Sequence, residues 1–327
     1  MTSVLRERRD TLDKITRSVK IGLLTGLVVL AGCTTGPERP DQATARLLVH
    51  SQQAMHQGRV RTALFLADSA ARRAPQVADV HFQRGRVLSE LKRFDQARVA
   101  YKKAVGFDPD HAQAWLNLGN NASRQQQYRQ AISFYQKAQG GYPVRARISR
   151  GRAYNSLGEW DSAEQAFQQA LEADSTSASA HAWLSLLLED RSELDSALHH
   201  SRRALRLEPH NVDYKYFLGA QLMSAGKSEE AVRYLEEVVE ERPWHHGAHY
   251  KLGRGLAQAG RSYEAQRYLA RADTLQQLQS DIVRQRELIH MTPDNPKHWL
   301  KLGNMLQRAG RQQEAESAFR VARSFGR

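Results

Sequence analysis

The sequence predicts an all-α protein built as a stack of helical hairpins. Its composition favours helix, because alanine, leucine, glutamine and arginine are abundant and only 9 of the 327 residues are proline. Internal repetition is the second observation. Residues 112–143, 212–243 and 296–327 share a Leu-Gly pair, a later alanine and a large residue four positions after that alanine. These features indicate a repeat architecture rather than two globular domains.

Eight units account for residues 44–327 apart from one insertion, and they begin at residues 44, 78, 112, 144, 178, 212, 246 and 296. The eighth position of each unit is small: Ser51, Gly85, Gly119, Gly151, Ser185, Gly219, Gly253 and Gly303. The twentieth position is alanine: Ala63, Ala97, Ala131, Ala163, Ala197, Ala231, Ala265 and Ala315. This pattern resembles the tetratricopeptide repeat family, and the resemblance implies a right-handed α-solenoid of helix-turn-helix units.

The spacing has a physical explanation. A glycine or serine on the first helix of a unit faces an alanine on the second, so the two helices can approach closely. Leu118 and Tyr135 illustrate the larger side chains that fill the space beside them. Glycines such as Gly158 and Gly226 stand where the end of a helix often needs a left-handed backbone. One hairpin cannot bury its apolar face alone, so we expect neighbouring hairpins to stack.

Two departures from the pattern are visible. The fourth unit has Arg147 where a bulky residue is usual, and Ser175 where proline is usual. An insertion, residues 280–295, follows seven units that span residues 44–279, and its apolar residues keep helical spacing. We therefore expect the second helix of the seventh unit to run long and to end before Pro293. That helix either separates the last hairpin, residues 296–327, from the stack or is simply elongated.

The N-terminus has the pattern of a secretory signal. Basic residues precede the apolar run 21–30, which is too short to span a bilayer core of roughly 30 Å. The run ends in Leu-Ala-Gly-Cys, which resembles the lipobox of bacterial lipoproteins and implies cleavage before Cys33 and lipidation of its thiol. We expect residues 1–32 to be the signal peptide and residues 33–43 the lipidated cysteine with a flexible tether. A chance cysteine in an ordinary signal or a short membrane anchor is the alternative.

No cofactor, metal ion or small-molecule substrate is expected, and the sequence predicts a protein that is not an enzyme. The P-loop, G-x-S-x-G and HExxH motifs do not occur. His245 and His249 have the i, i+4 spacing of a metal-binding pair on a helix. However, no carboxylate or cysteine stands at helical spacing to complete a site, so we interpret these histidines as structural.

The family resemblance implies that positions 5 and 9 of the first helices line a groove that binds a partner. Position 5 would supply an apolar row and position 9 a row of hydrogen-bond donors. The predicted groove residues are Phe82, Arg86, Leu116, Asn120, Ile148, Arg152, Tyr216, Tyr250, Arg254, Leu300 and Asn304. Some family members grip a carboxylate with a lysine at position 5 and an asparagine at position 9. Asn120 matches that asparagine, but Leu116 replaces the lysine, so we do not expect this clamp.

Two classes of function remain. The leading hypothesis is a scaffold that binds a segment of a partner protein while its lipid holds it at a cell membrane or outer membrane. It would face the periplasm or the extracytoplasmic side, with cell-envelope assembly as a plausible setting. The alternative is an anionic-surface binder that uses the net charge of +13 to contact polysaccharide, lipid head groups or nucleic acid. The basic residues are scattered without a dense run, which argues against nucleic acid.

Overall fold

A computed structural model describes residues 38–325, which form sixteen α-helices and, within that range, no strand. The helices are α1 (Gln42–His56), α2 (Val60–Arg73), α3 (Ala78–Glu90), α4 (Phe94–Phe107), α5 (Ala112–Arg124), α6 (Tyr128–Lys137), α7 (Pro143–Leu157), α8 (Trp160–Ala173), α9 (Ala178–Asp190), α10 (Leu194–Leu207), α11 (Val212–Ser224), α12 (Ser228–Glu241), α13 (His246–Gln258), α14 (Ser262–Met291), α15 (Pro296–Ala309) and α16 (Gln312–Ser324). A short 3-10 turn, Ala138–Gly140, follows α6.

Successive helices pair into eight hairpins, numbered 1 to 8 from α1–α2 to α15–α16. The odd-numbered helix of each pair is the first helix of a predicted repeat, and the even-numbered helix is the second. This is the all-α solenoid architecture that the sequence predicted. The helices group into two compact units, residues 38–187 and residues 188–325.

The turns inside the hairpins have a left-handed residue, as the sequence predicted. Gly58, Gly158, Gly226, Gly260 and Gly310 all have positive φ angles. In hairpins 2, 3 and 5 the same place is taken by Lys92, Gln126 and Ser192, with φ angles of 59°, 62° and 66°. A residue with a Cβ atom adopts this conformation at a cost of roughly 1 kcal/mol. The geometry of the turn is therefore imposed by the packing of the two helices.

Packing inside the hairpins depends on a pair of positions sixteen residues apart. An added Cβ atom at Gly85, Gly119, Gly151 or Gly303 would come within 2.6 Å of the ring of Tyr101, Tyr135, Phe167 or Phe319, respectively. Gly219 and Gly253 similarly face Leu235 and Leu269. In hairpin 1 the relation is reversed, because Ser51 carries a side chain and the residue sixteen positions later is the buried Ala67.

This arrangement refines the predicted role of the twentieth-position alanine. The backbone of that alanine does lie opposite the small residue, since Ser51 Oγ donates a hydrogen bond to the carbonyl oxygen of Ala63 at 2.9 Å. In most hairpins, however, the glycine makes room chiefly for a large side chain on the second helix. A glycine thus stands where the partner is large, and Ser51 adds bulk where the partner is the small Ala67, as close packing requires.

A second recurrent contact fixes the connection between hairpins. In five hairpins a histidine or tryptophan at position 4 lies within hydrogen-bonding distance of the carbonyl oxygen six residues earlier. The pairs are His81 with Pro75, Trp115 with Pro109, His181 with Ser175, His249 with Pro243, and Trp299 with Pro293. In these five hairpins the contact ties the start of the first helix to the chain that leads into it.

Helix α14 runs through residues 280–291 and ends at Met291, before Pro293 as predicted. It packs against α13 and also against α15 of hairpin 8. Leu275, Leu278, Ile282 and Ile289 of α14 form one apolar cluster with Leu302 and other residues of hairpin 8. Helix α15 therefore packs on α14 instead of on α13. The last hairpin therefore packs on the extension of α14.

Candidate protein-binding groove

The odd-numbered helices lie side by side in each unit. Within residues 38–187, α1 contacts α3, α3 contacts α5, and α5 contacts α7; within residues 188–325, α11 contacts α13. We call positions 5 and 9 of these helices the groove positions. Helices α3, α5 and α7 together contain seven arginines but only two carboxylates. This row of helices is therefore strongly basic.

The apolar residues at position 5 are mostly buried, which corrects the expectation of an exposed apolar row. Phe82, Leu116, Ile148 and Tyr216 are between 3% and 8% exposed. The ring of Phe82 lies 4.8 Å from the ring of His111, which precedes the next odd-numbered helix. These side chains are covered by the following hairpin, an effect that depends on tertiary packing. They shape the floor of the groove and do not offer a contact surface.

Histidines beneath this row cap the next helix. Nδ1 of His111 accepts a hydrogen bond from the backbone amide of Ala114 at 3.2 Å. In the second unit Nδ1 of His245 accepts one from Ala248 at 3.1 Å, and the His245 ring lies 4.4 Å from the Tyr216 ring. Burial, together with the charges of neighbouring basic groups, lowers the pKa of His245 to about 4. The structural interpretation of His245 and His249 agrees with these contacts.

Position 9 supplies polar side chains in the first unit. The guanidinium of Arg86 lies 5.9 Å from the Phe82 ring centroid and donates to Gln83 Oε1 at 3.2 Å. Asn120 Oδ1 accepts a hydrogen bond from the buried Tyr135 hydroxyl at 3.0 Å, which leaves its amide group as a donor. The three predicted donors, Arg86, Asn120 and Arg152, are all half-buried. Their limited freedom lowers the entropy that would be lost on binding.

Arg152 is held by a residue that sequence reasoning did not include. Its guanidinium lies 4.4 Å from the centroid of the Trp183 ring, and Trp183 is only 5% exposed. A cation above a tryptophan face is attracted by the ring quadrupole. Trp183 stands at position 6 of its unit, outside the positions used for the prediction, so only a comparison of adjacent helices could have identified it.

The groove positions of the second unit include exposed residues. Tyr250 is 48% exposed and Leu300 is 47% exposed, and Arg254 and Asn304 are also exposed. Tyr250 lacks the cover that Tyr216 receives, because α15 packs on α14 and does not follow α13. Asp213, also near the start of an odd-numbered helix, is buried with an ion-pair partner in Arg242. Tyr250 and Arg254 are therefore the accessible groove residues of α13.

The predicted anchor lies outside the described residues, since Cys33 and the signal segment 1–32 precede residue 38. Among residues 38–325, no helix is both long enough and apolar enough to cross a membrane. The boundaries of the tether, residues 33–43, and of the individual repeats stay predictions.

Comparison with known proteins decides the family. The profile of the cilia and flagella-associated protein 70 C-terminal domain, a tetratricopeptide-type domain, matches residues 39–288, well over half of the chain. The chain belongs to this tetratricopeptide-type family. Its membership accounts for the paired helices and for the recurring glycines and alanines, and it confirms the resemblance seen in the repeats.

Curated relatives match a part of the chain. Residues of this protein are 31% identical over 129 positions to protein O-mannosyl-transferase TMTC1 of Mus musculus, and 28% identical over 132 positions to the Homo sapiens protein. Each match covers 39% of this chain, but only 13% and 14% of the respective relative. The activity of the whole relative therefore does not transfer to this chain.

Solved structures share the fold. PilW, described as a type IV pilus biogenesis factor, has a TM-score of 0.58 at 18% identity, with 66% of this chain and 99% of PilW covered. Pseudomonas aeruginosa PilF has a TM-score of 0.55 at 18% identity, with 62% and 94% covered. The Cut9–Hcn1 complex contains a chain with a TM-score of 0.58 at 16% identity, with 80% and 48% covered. At these identities the likeness concerns the fold alone.

Proposed function

We propose that this protein is an interaction scaffold that binds a segment of a partner protein along its odd-numbered helices, and that it is not an enzyme. The groove positions carry the proposal. They place half-buried or exposed donors, among them Arg86, Asn120 and Arg254, on the odd-numbered helices. Backbone carbonyls and acidic side chains of a polypeptide are the acceptors that such donors suit. The repeat family, whose fold presents extended surfaces to other proteins, supports the same function.

Quantitative affinity capture tests this proposal. Arg86→Ala with Arg254→Ala removes one groove side chain from each unit; Arg86 contacts the neutral Gln83 and the Phe82 ring, and Arg254 is exposed. The fold should therefore persist, while a partner captured by the wild type should bind at least tenfold more weakly. The matched control is Lys102→Ala with Lys103→Ala, which removes two exposed charges from the even-numbered helix α4. A partner lost equally from both variants, or from neither, would contradict the assignment to the groove.

We also propose that the scaffold is anchored by lipid at Cys33 and acts at the periplasmic or extracytoplasmic face of a cell membrane or outer membrane. Support comes from the lipobox-like sequence and from the polar, proline-containing stretch that follows it. Several acyl chains would give stable attachment, since each buried CH₂ contributes about 0.8 kcal/mol. At that location the scaffold would act in the assembly of the cell envelope.

Metabolic labelling with palmitate tests the anchor. Cys33 is the only cysteine of the chain, so Cys33→Ser should abolish incorporation of the label and release the body from the membrane fraction. Label that persists in Cys33→Ser would refute the proposed anchor without affecting the groove.

A further inference from the structure

The fourth hairpin differs from its neighbours at position 4. Where five hairpins have a histidine or tryptophan bonded to the preceding turn, this one has Arg147, and hairpin 6 has Lys215. The proposed groove does not use this position. Hairpin 1 has Leu47 at this position, so hairpins 4 and 6 are the two that place a cation there. Hairpin 6 therefore shows how the fold accommodates a cation at this point of the repeat.

Hairpin 6 neutralises its cation internally. Nζ of Lys215 lies 2.8 Å from Glu237 Oε2 and 2.7 Å from Glu241 Oε1, both on the second helix of the hairpin. Counting from the starts of the repeats, the corresponding positions of hairpin 4 are Gln169 and Ala173. Hairpin 4 therefore keeps the cation but lacks both carboxylates.

A second arginine accompanies the first. Arg150 follows Arg147 by three residues, so the two side chains lie on neighbouring turns of one face of α7. Arg150 donates to Gln169 Oε1 at 2.6 Å. Within the part of the chain that the structure describes, neither guanidinium reaches a carboxylate, and α7 itself contains four arginines and no acidic residue. The pair concentrates positive charge that the fold leaves unbalanced.

Both guanidinium groups contain an unused buried donor. The Nε atoms of Arg147 and Arg150 are inaccessible and have no hydrogen-bond partner. Burial lowers the pKa of Arg150, and the charge of Arg147 contributes to the decrease, while Tyr154 opposes it. Buried donors without partners are uncommon in folded proteins and call for a ligand or another explanation. Ala173 is exposed, so the place that Glu241 fills in hairpin 6 is open to solvent here.

We propose that Arg147 and Arg150 form a binding site for a carboxylate group on an acidic segment of the partner protein. The identity of the carrier rests on the proposed function, whereas the anion site itself does not. A carboxylate can bind a guanidinium through two parallel hydrogen bonds, here from its two Nη atoms. It would thereby replace the charge that Glu237 and Glu241 provide in hairpin 6.

Peptide binding to the full chain tests the site. A labelled hexaglutamate peptide is titrated by fluorescence anisotropy, with hexaglutamine as the neutral control. Arg147→Gln with Arg150→Gln should weaken hexaglutamate binding at least tenfold, whereas Lys102→Gln with Lys103→Gln, an equal loss of charge on α4, should change it less than twofold. Equal losses in the two variants would show general charge attraction and overturn the proposal.

A gain-of-contact variant keeps the test decisive if the arginine variant folds poorly. Gln169→Glu with Ala173→Glu copies hairpin 6, so it should fill the site internally, raise the thermal midpoint and weaken hexaglutamate binding at least tenfold. Unchanged binding in this variant would refute the site, as would equal binding of hexaglutamine by the wild type.

The two proposals fail separately. If Arg86→Ala with Arg254→Ala leaves the captured partner bound but the hexaglutamate results are as expected, the groove proposal is refuted and the carboxylate site is supported. If hexaglutamate does not bind but the groove variant loses its partner, the carboxylate site is refuted and the groove proposal is supported.

Discussion

Replacing Gly119 with alanine tests the packing rule of the hairpins. A Cβ atom at this position would lie 2.4 Å from Cε1 and 2.5 Å from Cδ1 of Tyr135, at least about 0.9 Å closer than an ordinary contact. Tyr135 is 2% exposed, and its hydroxyl is bonded to Asn120, so its ring cannot move without further loss. Overpacking of this kind costs about 1–3 kcal/mol, and disturbing the hydrogen bond adds about 1 kcal/mol. Alanine recovers about 1 kcal/mol through its better helix propensity.

Gly119→Ala should therefore lower the free energy of unfolding by about 1–3 kcal/mol. Gly106→Ala is the matched control, because Gly106 lies in α4 and a Cβ atom there would have no neighbour within 4 Å. That variant should gain about 0.5–1 kcal/mol. Urea unfolding followed by far-ultraviolet circular dichroism measures both changes. In a Tyr135→Ala background the penalty at Gly119 should disappear. A Gly119→Ala variant as stable as Gly106→Ala would refute the reasoning.

Three further perturbations follow from other contacts. The lowered pKa of His245 means that the unfolded state binds more protons between about pH 6.5 and pH 4. The free energy of unfolding should therefore fall by at most about 3 kcal/mol as the pH decreases through this window. His245→Asn, which can cap the helix without titrating, should make that decrease smaller. An unchanged dependence on pH would show that His245 is not its cause. Gln126→Gly relieves a positive φ angle and should raise stability by about 0.5–1 kcal/mol in urea unfolding, whereas a loss would show that the side chain matters more. Arg242→Met leaves the buried Asp213 carboxylate without its arginine and should cost about 3–5 kcal/mol by thermal and urea unfolding. Adding Asp213→Asn should restore most of that loss, and no restoration would contradict a charge effect.

The sequence predicted the fold well because its strongest signals are local. The small residue at Gly151 or Gly303, the alanine twelve positions later and the turn glycine all belong to one hairpin, so the geometry of a single hairpin sets their spacing. The sequence also contains Ser51 and Ala67 at positions where most other hairpins have a glycine and a large residue. This difference can be interpreted only once the structure shows that residues sixteen positions apart contact each other.

The groove was less predictable because exposure depends on the next hairpin. Phe82 and Tyr216 are apolar residues at the predicted positions, but each is covered by a histidine that precedes the following helix. Tyr250 has the same place in its repeat and stays exposed, because the extended α14 moves hairpin 8 away. The position of a residue in its repeat thus predicts which face of the helix carries its side chain. Whether a ligand can reach that side chain depends on the neighbouring hairpin.

Site-specific photo-crosslinking in cells tests most directly whether a partner protein binds along the odd-numbered helices. A photoreactive amino acid at Arg86 or Arg254 is compared with the same group at Lys103 or Gln165, which are exposed on even-numbered helices. The groove positions should yield a crosslink to one and the same protein, and the even-numbered helices should yield little of it. Equal yields from both sets, or crosslinks from the even-numbered helices alone, would contradict the proposed groove.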